Sequence, residues 1–107
     1  MAHLFEDDKG KIDIADAIKV SEVQTEEITL ADYSWNRQTI NLANETLYSR
    51  GYRPVGIVGY RFITSTEVID IQELYLTSNS LKVCLINNED HSNTITFGAT
   101  ILWIKSA

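Results

Sequence analysis

Hydrophobic and polar positions alternate most clearly over Thr94–Lys105, which predicts one long β-strand. Ile95, Phe97, Ala99, Ile101 and Trp103 share one face, and Thr94, Thr96, Gly98 and Thr100 share the other. That second face turns apolar at Leu102 and Ile104. A strand apolar on both faces needs cover on both. So short a chain has few side chains left for the second face, so a partner subunit is expected there. Ile101, Leu102, Trp103 and Ile104 are therefore the candidate oligomer interface.

Three further strands precede it. Val55–Thr64 places Val58, Tyr60 and Phe62 on one face, and Gly56 and Gly59 predict a bulge or a close backbone approach. Val68–Thr77 puts Leu74 and Leu76 on one face and Ile69, Ile71 and Tyr75 on the other. Ser78-Asn79-Ser80 is short enough for a hairpin into Leu81–Ile86. Asn87–Asn93 is a polar loop of turn formers. Four strands on short turns predict an antiparallel meander or Greek key.

The N-terminal half is less regular. Val20–Leu30 predicts a strand, or two short strands with a bend. Arg37–Leu42 predicts another, in competition with a helix over Ile40–Arg50 that Gly51 would terminate. Asp13–Lys19 is either a short helix or part of an extended arm, and Asp7-Asp8-Lys9-Gly10 is a turn. The expected organisation is an N-terminal arm or short helix over residues 1–19 and a β-sandwich over 20–107.

Composition supports this class. Ile, Val and Thr account for 29 of 107 residues, which favours strands. The expected fold is all-β, an antiparallel β-sandwich or jelly-roll-like single domain. A formal net charge of −6 argues against nucleic-acid binding and against adsorption to an anionic membrane. No apolar run nears the roughly 20 residues of a membrane span. No signal peptide is evident, so synthesis and folding in the cytoplasm are expected. A single cysteine, Cys84, excludes an internal disulfide and reads as a small buried residue.

Catalytic patterns are lacking. His3 and His91 are the only imidazoles, and neither sits beside a nucleophile motif. Gly56-Ile57-Val58-Gly59 is not a nucleotide loop. Glu89-Asp90-His91 groups three potential ligands, but consecutive residues seldom converge on one ion, so neither a metal nor a cofactor is expected. No enzymatic activity is expected. Binding is the remaining chemistry. Tyr33-Ser34-Trp35-Asn36-Arg37 combines two aromatics with polar neighbours in a segment read as loop. Tyr33, Trp35 and Arg37 are therefore candidate ligand residues, with core or turn packing as the alternative. Asp90 and His91, in the Asn87–Asn93 loop, complete the candidate set.

Gly51-Tyr52-Arg53-Pro54-Val55-Gly56-Ile57-Val58 resembles the opening of small β-sandwich domains in bacteriophage tail and fibre proteins. Val83-Cys84-Leu85-Ile86-Asn87 is similar to their Val-x-Leu-x-Asn strand, and Thr94–Lys105 to their Thr-rich final strand, with Trp103 at a tyrosine position. The likeness spans about the last half of the chain. It implies a tail-associated protein of a virion or prophage, made in the bacterial cytoplasm. It further implies a homo-oligomer, a trimer by this likeness, with other virion proteins and host-surface carbohydrate as possible partners. A small bacterial carbohydrate-binding or adhesion module is the alternative.

Overall fold

Phe97–Lys105 forms the central strand of a three-stranded antiparallel sheet, and its inward face is the heart of the core. The computed structural model describes residues 3–7, 10–63 and 69–106. The strands are β1 (His3–Asp7), β2 (Gly10–Asp13), β3 (Ile18–Gln24), β4 (Ile28–Leu30), β5 (Trp35–Asn41), β6 (Tyr52–Phe62), β7 (Ile69–Leu76), β8 (Ser80–Asn87), β9 (Asn93–Ile95) and β10 (Phe97–Lys105). One helical turn, α1 (Ile14–Ala17), precedes β3. A 3-10 turn (Leu42–Asn44) and α2 (Thr46–Ser49) link β5 to β6. Two three-stranded sheets, β3-β10-β6 and β5-β8-β7, carry the domain, with a two-stranded β4-β9 sheet beside them. The chain is thus all-β and antiparallel, as its composition predicts.

The inner faces of the two larger sheets share one core. Val23, Phe97, Ala99, Ile101 and Trp103 come from the first, and Ile69, Leu81, Val83 and Leu85 from the second. Trp103 is fully buried, and its indole N–H donates to Ser21 Oγ at 2.9 Å. Full burial of Ile101 and Trp103 inside their own chain corrects the interface expectation for these two. Only Leu102 and Ile104 of the four face outward, Leu102 half-buried and Ile104 42% exposed.

Bulges correct the simple alternation in two strands. In β6, Ile57 and Gly59 pair with successive residues Ile101 and Thr100, and Pro54 and Gly56 with Trp103 and Leu102. Val58 and Val55 are the extra residues, and both are exposed. Tyr52, Pro54, Ile57, Tyr60 and Phe62 therefore share the inward register, and Val58 leaves the face predicted for it. Pro54, which has no N–H to donate, sits on this edge strand, where it costs least. In β7 the extra residue is Gln72, since Ile71 and Glu73 pair with Leu85 and Cys84. That bulge brings Ile69, Ile71, Leu74 and Leu76 to one inward face and leaves Tyr75 outward.

Three other expectations change. The final strand breaks at Thr96: β9 pairs with β4, and β10 with β3 and β6. Thr25 holds the junction, donating its backbone N–H to Phe97 O at 2.8 Å and accepting the Phe97 N–H on Oγ1 at 3.0 Å. The meander is not formed, because β6 and β7 belong to different sheets. The competing helix over Ile40–Arg50 shrinks to α2, with Gly51 at φ +92° ending it as expected. The predicted bend in Val20–Leu30 is present, between β3 and β4. Thr64 and Val68, predicted strand ends, lie outside the described residues, as do Asp8 and Lys9 of the first turn.

Outward residues of β3 and β6 clasp β10. Arg61 donates two hydrogen bonds to the Glu22 carboxylate, at 2.7 and 2.8 Å. These bonds, with one from Gln24, hold the Glu22 carboxyl down to about 2. Gly98 lies beneath: a Cβ there would stand 3.0 Å from Ile63 Cδ1 and 3.2 Å from the Glu22 carboxyl carbon.

The molecule is long, 63 × 23 × 19 Å. Its radius of gyration of 17.2 Å exceeds the roughly 13 Å of a compact chain of this length. The β1–β2 hairpin lies against α1. Tyr52 anchors α1 by donating its hydroxyl to Asp16 O.

Candidate functional site

The outward face of β5-β8-β7 is a grid of three rows set by strand register. Trp35, Ile86 and Asp70 form the first row. Arg37, Cys84 and Glu73 form the second, and Thr39, Lys82 and Tyr75 the third. Side chains directly across from one another lie close enough to interact. Arg37 reaches over Cys84 to Glu73, Nη2 to Oε1 at 3.3 Å. Its guanidinium also lies 5.5 Å from the centroid of the Trp35 ring. Cys84 is buried beneath, its Sγ 3.6 Å from Gln72 Oε1. Burial of the thiol agrees with the sequence reading.

Trp35 is 62% exposed. This rules out core packing for that residue, because a core tryptophan would be enclosed. It also corrects the assignment to a loop: Trp35 and Arg37 stand on strand β5, and only Tyr33 is in a turn. Tyr33 is 70% exposed and takes φ +50°. A bulky residue in the left-handed region is disfavoured, and such outliers gather at functional positions. The turn is held by Ser34, whose N–H and hydroxyl both donate to Ala31 O.

One buried side chain ties this turn to the Asn87–Asn93 loop. The Asn87 Nδ2 faces the carbonyl oxygens of Leu30, Ala31 and His91 at 3.2, 3.0 and 2.9 Å. Its Oδ1 accepts from the Glu89 N–H and from Asn93 Nδ2, each at 3.0 Å. The backbone adds two bonds, Tyr33 N–H to Glu89 O and Asn87 N–H to Ser34 O. Tyr33 and the Glu89–His91 stretch are therefore neighbours at one end of the sheet. Asn88, next along, donates to Asp70 of the first row.

The structure thus gathers the five predicted ligand residues around one end and one face of β5-β8-β7. Trp35 and Arg37 share the face, and Tyr33, Asp90 and His91 the adjoining end. Sequence reasoning missed Asp70, Glu73 and Asn88. Their signal is the register around Gln72, which a single chain of letters does not show.

Glu89, Asp90 and His91 bring their ligand atoms within 4.8 Å of one another, closer than their adjacency suggested. His91 Nδ1 lies 3.2 Å from Asp90 Oδ1, and both side chains are exposed. A polar cleft where the end of β3 and the bend after it meet β5 is lined by Gln24, Thr25, Glu26, Gln38, Ile40 and Thr39 of the third row. It contains no titratable pair suited to general acid–base work beyond the single carboxylate of Glu26. Comparison with protein-family models, curated proteins and solved structures gives no match.

Proposed function

We propose that this chain is a virion-associated β-domain of phage or prophage tail or fibre type that binds host-surface carbohydrate on the Trp35 face. The resemblance of Gly51–Lys105 to tail-domain motifs supports the assignment to a virion. Exposure of Trp35 at the head of the grid is the observation that carries the binding role. An exposed indole offers a flat apolar surface to the C–H face of a pyranose. Asp70, Glu73, Arg37 and Asn88 then supply acceptors and donors for ring hydroxyls. Tyr75, exposed at the far row, offers a second aromatic surface. The role is binding without turnover. A bacterial carbohydrate-binding or adhesion module uses the same face, and the neighbouring genes separate the two readings: capsid and tail genes support the first.

Assembly belongs to the same proposal. Leu102 and Ile104, with Val20 beside them, present apolar surface that a second copy removes from water, and the tail resemblance sets the number at three.

A glycan array probed with the intact chain tests the binding role. For any sugar that binds, Trp35→Ala is expected to weaken affinity by about 1–3 kcal/mol, as at other aromatic anchors. Its unfolding free energy should stay within about 0.5 kcal/mol of the parent, as for an exposed position. An array silent on bacterial surface glycans, or full affinity without the indole, removes the carbohydrate reading.

A further inference from the structure

We propose that the sugar site runs along β5 from Trp35 into the polar cleft at Thr39, and so takes an internal stretch of a glycan chain rather than one terminal sugar. This rests on the carbohydrate reading of the Trp35 face and names the class of ligand. Trp35, Arg37 and Thr39 stand in successive outward rows of one strand, and all three are exposed. Thr39 belongs both to the face and to the cleft. From Trp35 to Thr39 the strand rises about 13 Å, at roughly 3.3 Å per residue, which is longer than a single pyranose ring. Among the described residues β5 is an edge strand, so no further strand of its sheet separates the face from the cleft.

The cleft, of about 330 Å³, has the chemistry of a hydroxyl-binding site. Small-molecule pockets are lined mostly by apolar groups. Here the lining is two amides, two hydroxyls and one carboxylate, with Ile40 the exception. Both amides are already oriented from within their own strands. Gln24 Nε2 donates to Glu22 Oε1, and Gln38 Nε2 to Asn36 Oδ1. Each amide therefore keeps its Oε1 as an acceptor. Glu26, which forms no ion pair among the described residues, adds its carboxylate oxygens. Thr25 points the same way. It is 7% exposed and its Oγ1 accepts the Phe97 N–H, yet among the described residues its hydroxyl proton has no acceptor. Buried hydroxyls are seldom left with an unused donor, and Thr25 lines the cleft, where a ligand oxygen can take the proton. A site rich in acceptors, with hydroxyl donors and one negative charge, suits a neutral polyol. An anion would meet Glu26, and an apolar ligand would strand the amides. Sugar hydroxyls both donate and accept, and so match both kinds of group.

Nuclear magnetic resonance on the intact, isotope-labelled chain tests the extension, because the Trp35 indole N–H and the Gln24 and Gln38 side-chain amides give separate signals. The probes are glucose and N-acetylglucosamine oligomers, from the monosaccharide to the hexasaccharide, and the tightest binder of the glycan array in the same range of lengths. The monosaccharide is expected to move the Trp35 signal alone. Longer chains should also move both amides and bind about tenfold more tightly, the equivalent of one or two net hydrogen bonds. Gln38→Ala and Glu26→Ala, at a half-buried and an exposed position, should each remove most of that gain and leave monosaccharide affinity unchanged. Affinity independent of length, with only Trp35 responding, confines the site to the face. That result overturns the extension and keeps the carbohydrate reading. A gain with length that both variants retain puts the added contacts outside the cleft and also overturns it. Amide shifts with a silent Trp35 make the cleft a separate site and likewise overturn it. No response at either place ends the carbohydrate reading and this proposal together.

Discussion

Replacing Asn87 by alanine removes the side-chain partner of Leu30 O, His91 O, the Glu89 N–H and Asn93 Nδ2 around one buried point, while Ala31 O keeps its two bonds from Ser34. Each buried group left without a partner costs about 1–3 kcal/mol, with water relieving part of the total. The unfolding free energy of Asn87→Ala is therefore expected to fall by about 3 kcal/mol or more, read by chemical denaturation. The sequence shows Asn87 only as the polar end of an apolar strand. Its partners lie more than fifty residues away in Leu30 and Ala31, so its role was hidden. Glu22 is legible in the same limited way, as a charge on a strand, while its twin bonds to Arg61 follow only from pairing across β10. The Glu22 carboxyl sits near 2, below its ordinary 4.5. A lowered folded-state value adds stability that is complete above the unfolded value and lost as pH falls. Wild-type stability relative to Glu22→Gln is thus expected to decline between pH 4.5 and about 2 and to be flat above. Paired urea titrations across that window measure it.

At the scale of elements, alternation was readable wherever strands run without interruption. The inward set of β10 followed from it, and the two-part course of β3 and β4 was one of the two readings open for Val20–Leu30. Gly56 and Gly59 foretold that β6 bulges, but which residue is inserted, and the bulge of β7, are where the reading stopped. An inserted residue shifts all later side chains by one face, and nothing in Val58, Val55 or Gln72 distinguishes an inserted valine or glutamine from a paired one. The Thr96 break was equally silent, because it depends on Thr25 reaching Phe97 from the bend between β3 and β4. Within β10 the two faces predict opposite outcomes for neighbouring substitutions. Ile101→Ala empties a fully enclosed site and should cost about 2–5 kcal/mol in thermal or denaturant unfolding. Leu102→Glu, one residue on, faces outward. It should leave secondary structure by circular dichroism intact and, on the proposed homo-oligomer, give monomers by light scattering.

For the whole molecule, the two large sheets turn different chemistry outward: apolar on β3-β10-β6, aromatic and charged on β5-β8-β7. The candidate site was partly visible in advance, because Tyr33-Ser34-Trp35-Asn36-Arg37 concentrates unusual residues. Its extent was not, because the other two strands of the grid lie far along the chain. The buried thiol of that grid has a practical consequence. Cys84 lies under the Arg37–Glu73 pair, so a thiol reagent must wait for that cover to part. The labelling rate of Cys84 is then a clock for the proposed binding face, available without any engineered probe. A sugar seated on Trp35 and Arg37 should slow the clock, and Arg37→Ala should speed it, both followed by the absorbance of the released thiolate. A reaction as fast as that of a free thiol in the unmodified protein would mean that the face stands open far more often than its packing allows.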